Sequence, residues 1–204
     1  MQPLLLLLAF LLSPGAEAGE IIGGHEARPH SRPYMAFVLS LEKEKGKSCG
    51  GVLVRQDFVL TAAHCWGRKA MWTAAVRPLS LPRGTAQVRP GEVCSVAGWG
   101  SVTPIGRASD TLQEVELTVQ QDQVCEFLWH DYNKTTQLCV GDPKEKKSSY
   151  KGDSGGPLVC KNVIQGIVSY GRILGIPPGA FTKVSSFLPW IKKTMKGPAR
   201  WRSG

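Results

Sequence analysis

The chain has 204 residues, 42% of them hydrophobic and 20% charged, which is room for one large all-β unit or two small domains and excludes a disordered tail. Lys and Arg outnumber Asp and Glu by 25 to 16, a formal charge of +9, so polyanions, acidic glycans or acidic protein segments are the favoured partners. Nucleic acid is not expected, because the bases are scattered, with denser runs only at Lys43–Lys47, Lys144–Lys147 and Lys192–Arg202 and no nucleic-acid module beside them.

At the N-terminus, the apolar stretch Leu4–Leu12 runs into small residues at 13–18. A membrane span needs roughly 20 apolar residues, so residues 1–18 read as a cleaved secretory signal and not as an anchor. Taking residues 1–20 away removes Glu17 and Glu20 and no base, which moves the formal charge from +9 to +11. Secretion places Cys49, Cys65, Cys94, Cys125, Cys139 and Cys160 in an oxidising compartment, where six cysteines imply three disulfides. Fifteen pairings are open, no Cys-x-x-Cys pair or Cys/His cluster points to a metal, and no cofactor is expected.

Ile21-Ile22-Gly23-Gly24 reads as a strand entering a turn. Strands follow at Tyr34–Leu39, Gly51–Val54 and Phe58–Thr61, with a charged loop over 42–47. The third strand leads into Ala62-Ala63-His64-Cys65. A bond between Cys49 and Cys65, one of the fifteen pairings, would close a hairpin and hold the His64 imidazole still, as a general base requires. Further on, Val115, Leu117 and Val119 alternate with Glu116 and Thr118, the period of a half-buried strand. Asn133-Lys134-Thr135 is a glycosylation sequon and belongs on an exposed loop. Val163–Ser169 and Ala180–Val184 are further strands. Ser186 then reads as the cap of a C-terminal helix whose Phe187, Trp190, Ile191 and Met195 share a core face, with Pro189 in its first turn.

The chemistry concentrates in Lys151-Gly152-Asp153-Ser154-Gly155-Gly156-Pro157. A serine between glycines, ahead of the apolar residues Leu158-Val159-Cys160, fits a nucleophile on a tight turn with backbone N–H groups free for an oxyanion. By itself the tetrapeptide Gly-Asp-Ser-Gly is also an ordinary turn, and a lone His beside a Cys is more often structural. The order of five motifs decides between these readings: Ile21–Gly24, Leu60–Cys65, Ser95–Gly100, Gly152–Pro157 and Ile167–Gly171. Together they resemble the chymotrypsin-like serine proteases, and among them the granzyme and cathepsin G group of leukocyte granule enzymes.

That resemblance implies an all-β fold of two antiparallel six-stranded barrels of the trypsin type with a C-terminal helix. It also implies cleavage after the dipeptide Gly19-Glu20, leaving residues 21–204 as the protease domain. Ser154 would be the nucleophile and His64 its base, with the N–H groups of Gly152 and Ser154 as oxyanion hole. The new amino group of Ile21 would pair with Asp153. The family's disulfides would be Cys49–Cys65, Cys94–Cys160 and Cys125–Cys139. The specificity pocket would have its floor at Ser148 and its walls at Ser169, Gly171 and Gly179, an uncharged cleft for large apolar or aromatic side chains. Protein substrates, acidic proteoglycans and serpin-type inhibitors are the implied partners, and storage in leukocyte granules the implied localisation.

One family element is missing. A buried aspartate between the His and the Ser in chain order normally orients the imidazole, in a segment resembling Asn-Asp-Ile. Here Cys65-Trp66-Gly67 passes directly into Arg68, as a skipped exon or a faulty gene model would leave it. About 40 to 50 residues are absent against a single all-β domain of roughly 200 to 250. The expectation is therefore a truncated first barrel, a better-ordered second one over 93–184, and as alternative function a catalytically inactive family member. Asp57 reads as a turn residue, and Asp110, Asp122, Asp131 and Asp142 as solvated loop carboxylates.

Overall fold

The computed structural model describes residues 21–39, 48–65, 69–70, 76–84, 88–101, 103 and 107–197. The signal region, the basic run 43–47, the Gly67–Arg68 junction and residues 198–204 lie outside these. Eleven strands and two helices are described: β1 (His25–Glu26), β2 (Met35–Leu39), β3 (Ser48–Arg55), β4 (Phe58–Leu60), β5 (Lys69–Ala70), β6 (Val93–Gly98), β7 (Gln113–Thr118), α1 (Asp122–Leu128), β8 (Gln137–Val140), β9 (Pro157–Cys160), β10 (Val163–Gly171), β11 (Gly179–Lys183) and α2 (Leu188–Lys196). They form two antiparallel sheets, of four strands in the order β4-β3-β2-β5 and of seven in the order β1-β7-β6-β9-β10-β11-β8. Bonds from Gln120 N to Cys139 O and from Gly141 N to Thr118 O, each 2.8 Å, bring β8 back beside the end of β7. No helix among the described residues is long and apolar enough to cross a membrane.

Each sheet buries the alternate side chains that its period dictates. On β7 Val115 and Leu117 point inward with Val96, Leu158, Val168 and Phe181, while Glu116 is exposed. On the first sheet Val38, Cys49, Val52 and Val54 pack against Val159, Ile164 and Ile167 of the second and against Leu188 and Ile191 of α2. The two sheets thus share one core. Three disulfides, Cys49–Cys65, Cys94–Cys160 and Cys125–Cys139, fasten the β3–β4 region, the β6–β9 pair and α1 to β8.

The C-terminal helix departs from its expected face. A 3-10 turn over Val184–Phe187 precedes it, so α2 begins at Leu188 with Phe187 as its cap residue. Ser186 donates instead to Thr135 O at 2.6 Å. This later start puts Leu188, Ile191 and Met195, spaced three and four apart, on the core side. Phe187 and Trp190 are turned outward, at 38% and 61% exposure. Ile191→Ala should therefore cost about 2–5 kcal/mol, and Trp190→Ala less than about 0.5 kcal/mol, as read from urea unfolding midpoints.

Candidate active site

The site is assembled where the turn carrying Ser154 meets the first sheet. Gly50 N on β3 donates to Ser154 O at 2.8 Å, and Thr61 Oγ1 donates to Gly50 O at 2.8 Å. Gly155 lies in the left-handed region, φ 85°, and a Cβ there would overlap Thr61 Oγ1 and Gly50 O. A Cβ on Gly50 would come within 2.9 Å of Gly156 N. Only glycines let these backbones approach so closely. Because Thr61 stands three residues before His64, this contact brings the segments of the two residues together. The second restraint on His64 is its neighbour: its imidazole lies within 4.8 Å of the sulfurs of Cys49–Cys65. Those sulfurs are joined to each other and are not thiolate ligands for a metal.

Around the serine the backbone donors divide cleanly. Asp153 N donates to Tyr150 O at 3.0 Å, Gly155 N to Val168 O at 2.9 Å and Gly156 N to Asp153 O at 2.9 Å. The N–H groups of Gly152 and Ser154 have no hydrogen-bond acceptor among the described residues. Gly152, at φ 101°, sits against Gly100, 2.8 Å from its Cα to the position a Cβ would take. Ser154 itself is half-buried and His64 is exposed.

Asp153 is fully buried. Its carboxylate accepts from Gly100 N and from Tyr150 N, both at 2.8 Å. Burial pushes its pKa up to about 6, the two hydrogen bonds offsetting part of that rise. A Cβ on Gly98 or Gly100 would overlap the same carboxylate. These two glycines, which flank Trp99 in the Ser95–Gly100 motif, leave the space that the carboxylate fills, a role no local pattern in the sequence shows. Ile21 is buried too, and the bridge between Ile22 and Ser148, with Ser148 N donating to Ile22 O at 3.0 Å, seats the segment that follows it.

Two of the four expected pocket residues are strand partners. Gly171 and Gly179 are partners across β10 and β11, and the register shifts at Ser169 between Val168 and Tyr170. A Cβ on Gly179 would meet only ordinary contacts, Phe181 and Tyr170 O at 3.5 Å. Glycine here is not a steric necessity. Ser148 is buried, its hydroxyl donating to Ser149 O at 2.8 Å. Asn133 lies elsewhere, exposed on the loop after α1, with its Oδ1 accepting from Thr135 N at 2.9 Å.

All six aspartates are among the described residues, and none bonds His64. Asp57 accepts from the Arg55 guanidinium, with Arg55 Nη2 at 2.8 Å, and this hydrogen bond holds its carboxyl below the usual range. Asp122 accepts the Tyr132 hydroxyl at 2.6 Å and Asp142 the Lys144 N–H at 2.9 Å. Asp110 and Asp131 are exposed, and Asp153 is held as described. No orienting carboxylate faces the imidazole among the described residues.

The chain belongs to the trypsin family of serine proteases: the family model described as Trypsin matches residues 21–75 and 68–191. The match is made in two pieces that overlap over residues 68–75. Human granzyme B and human granzyme H are each 54% identical over 245 residues, covering 96% of this chain and 99% of the relative. A solved structure described as "Structure of GrC" superposes with a TM-score of 0.81 at 46% identity, covering 87% of this chain and 100% of the other. The chain is a chymotrypsin-like member of the granzyme and cathepsin G group. An alignment of 245 positions that uses 96% of 204 residues, about 196, leaves about 49 positions without a counterpart here.

The buried carboxyl gives a pH signature. In the unfolded chain Asp153 ionises near its ordinary 3.8, in the folded chain near 6, so the unfolded state loses its proton first. Stability contributed at this position falls as pH rises from about 4 to about 6 and is constant above. Relative to Asp153→Asn, the uncleaved protein should lose about 2–3 kcal/mol between pH 4 and pH 7, measured by urea unfolding at both pH values.

Proposed function

We propose that the chain is a secreted granule serine endopeptidase that acts by acyl transfer after large apolar or aromatic residues. The observation that carries this reading is the pair of uncommitted N–H groups at Gly152 and Ser154 on a turn pinned to the segment of His64. In the proposed reaction Ser154 Oγ attacks the scissile carbonyl while its proton passes to His64. The Gly152 and Ser154 N–H groups donate hydrogen bonds to the carbonyl oxygen as negative charge develops on it. The scissile C–N bond breaks as His64 gives the proton to the leaving amine, and water, deprotonated by His64, then releases the acyl group from Ser154. Removal of residues 1–18 and then of Gly19-Glu20 would free the Ile21 amino group. Its positive charge would compensate the buried Asp153 carboxylate and so fix the conformation of the oxyanion turn.

The pocket reading rests on its chemistry: Ser148 carries no charge to neutralise a basic side chain, and Gly179 carries none for an acidic one. The +9 charge supports storage with acidic proteoglycans and acidic serpin-type inhibitor segments as partners. The exposed Asn133 sequon is the proposed site of an N-linked glycan. A second reading, a family member that binds protein without turnover, is favoured by one specific observation, the lack of a described carboxylate partner for His64.

Activity-based phosphonates separate the two. In folded protein beginning at Ile21, a peptidyl diphenyl phosphonate with phenylalanine next to phosphorus should label Ser154 stoichiometrically. Arginine and aspartate analogues should react at least about tenfold more slowly, and His64→Ala should abolish labelling. Absence of label on disulfide-intact protein would overturn the endopeptidase reading, and faster reaction of a charged analogue would overturn the pocket assignment.

A further inference from the structure

Gln113 is fully buried, and its Oε1 is the one buried side-chain oxygen or nitrogen without a partner among the described residues. Its orientation is fixed by the other end of the amide. Nε2 donates to Thr111 Oγ1 at 2.7 Å, to Ser109 Oγ at 3.1 Å and towards Thr111 O at 3.4 Å, and a carbonyl oxygen can only accept. A buried acceptor left open in a folded protein calls for a donor.

Three observations locate the space it faces. Gln113 pairs with Gly98 across β6 and β7, so the two residues present the same sheet face with Cβ positions about 5 Å apart. The position of the absent Gly98 side chain is filled by the Asp153 carboxylate. Ile21, fully buried, packs in the same cluster as Val96 and Val115, the next residues along that face. The open oxygen, the buried carboxylate and the residue whose amino group cleavage would release thus share one compartment.

We propose that Gln113 is a positioning residue for the activated state, its Oε1 accepting a hydrogen bond from the Ile21 α-ammonium group beside Asp153. This inference rests on the activation reading given above and adds a second acceptor to it. An ammonium group carries three N–H donors, each of which must be satisfied once it leaves water. Both Asp153 oxygens already accept backbone donors. The carboxylate supplies the compensating charge, and the amide oxygen supplies a further acceptor that fixes where the nitrogen sits. The remaining charged groups near this segment are Glu26, exposed and paired with Gln113 across β1 and β7, and His25, Arg32, Glu114, Glu116 and Lys147, which line the outer cavity beside Gly23 and Gly24, with Arg32 Nε on Glu114 at 2.7 Å.

The test is the reactivity of the Ile21 amine towards cyanate between pH 6 and pH 10, in protein cut after Glu20, followed by mass spectrometry. An acceptor stabilises the ammonium form, so protection is present at low pH and is lost as pH rises through the ammonium pKa. Gln113→Met should raise carbamylation at pH 7.5 at least about tenfold and move the loss of protection to lower pH. Gln113→Glu should move it to higher pH, and this variant decides alone if Gln113→Met fails to fold. Parental protection in Gln113→Met, or an unmoved midpoint in Gln113→Glu, overturns the inference. If Asp153→Asn exposes the amine in the same experiment, the activation reading survives that result; if it does not, that reading fails as well.

Discussion

The structure depends on a place where two backbones touch. Gly50 on β3 and the turn Asp153–Gly156 approach to a distance that no Cβ would permit, and the Gly50–Ser154 hydrogen bond locks them there. Everything chemical is arranged about this contact. It attaches the loop of Ser154 to the sheet whose strand β4 leads into the segment of His64, and Phe37 of β2 stacks edge-on against Trp99, ring centroids 5.3 Å apart, beside the same junction. The four-stranded sheet is held in place because its apolar face is shared with β9, β10 and α2. Loss of about 49 positions from the family alignment therefore leaves the junction at Ser154 intact in this structure.

The second consequence concerns charge. Gly98 and Gly100 open a cavity whose tenant is an anion with two backbone donors and no cation among the described residues. Buried carboxylates without a compensating charge are costly, and the raised Asp153 pKa expresses that cost. The proposed cleavage before Ile21 relieves it by delivering an ammonium group into the same compartment. Electrostatic cost in the uncleaved chain and order in the cleaved one then have a single cause.

Much of this was legible in the residues. β7 announced itself by strict alternation, and the serine turn by its glycines and neighbouring strand; strands read at Val163–Ser169 and Ala180–Val184 fall on β10 and β11. The expectation that none of the six aspartates partners His64 could also be formed from the residues, since so few can be searched one by one. Other features were hidden for physical reasons. Helix α1 has only seven residues; a disulfide and the Tyr132–Asp122 bond hold it, and neither shows as periodicity. The face of α2 depended on a 3-10 turn that delayed its first residue. The roles of Gly50, Gly98, Gly100 and Gln113 arise from contacts between segments far apart in sequence, which no local pattern encodes.

The central proposal is that Ser154 as nucleophile and the Gly152 and Ser154 N–H groups as oxyanion donors are assembled while His64, as base, has no orienting carboxylate among the described residues. Steady-state turnover of an aromatic peptide anilide by purified protein beginning at Ile21, its serine titrated to count sites, tests this most directly. The account predicts a kcat about 10⁴-fold below ordinary protease values, the effect of disabling the orienting aspartate in a related enzyme. A kcat within the usual range of about 1–10³ s⁻¹ would contradict it and would require another group to hold the His64 imidazole.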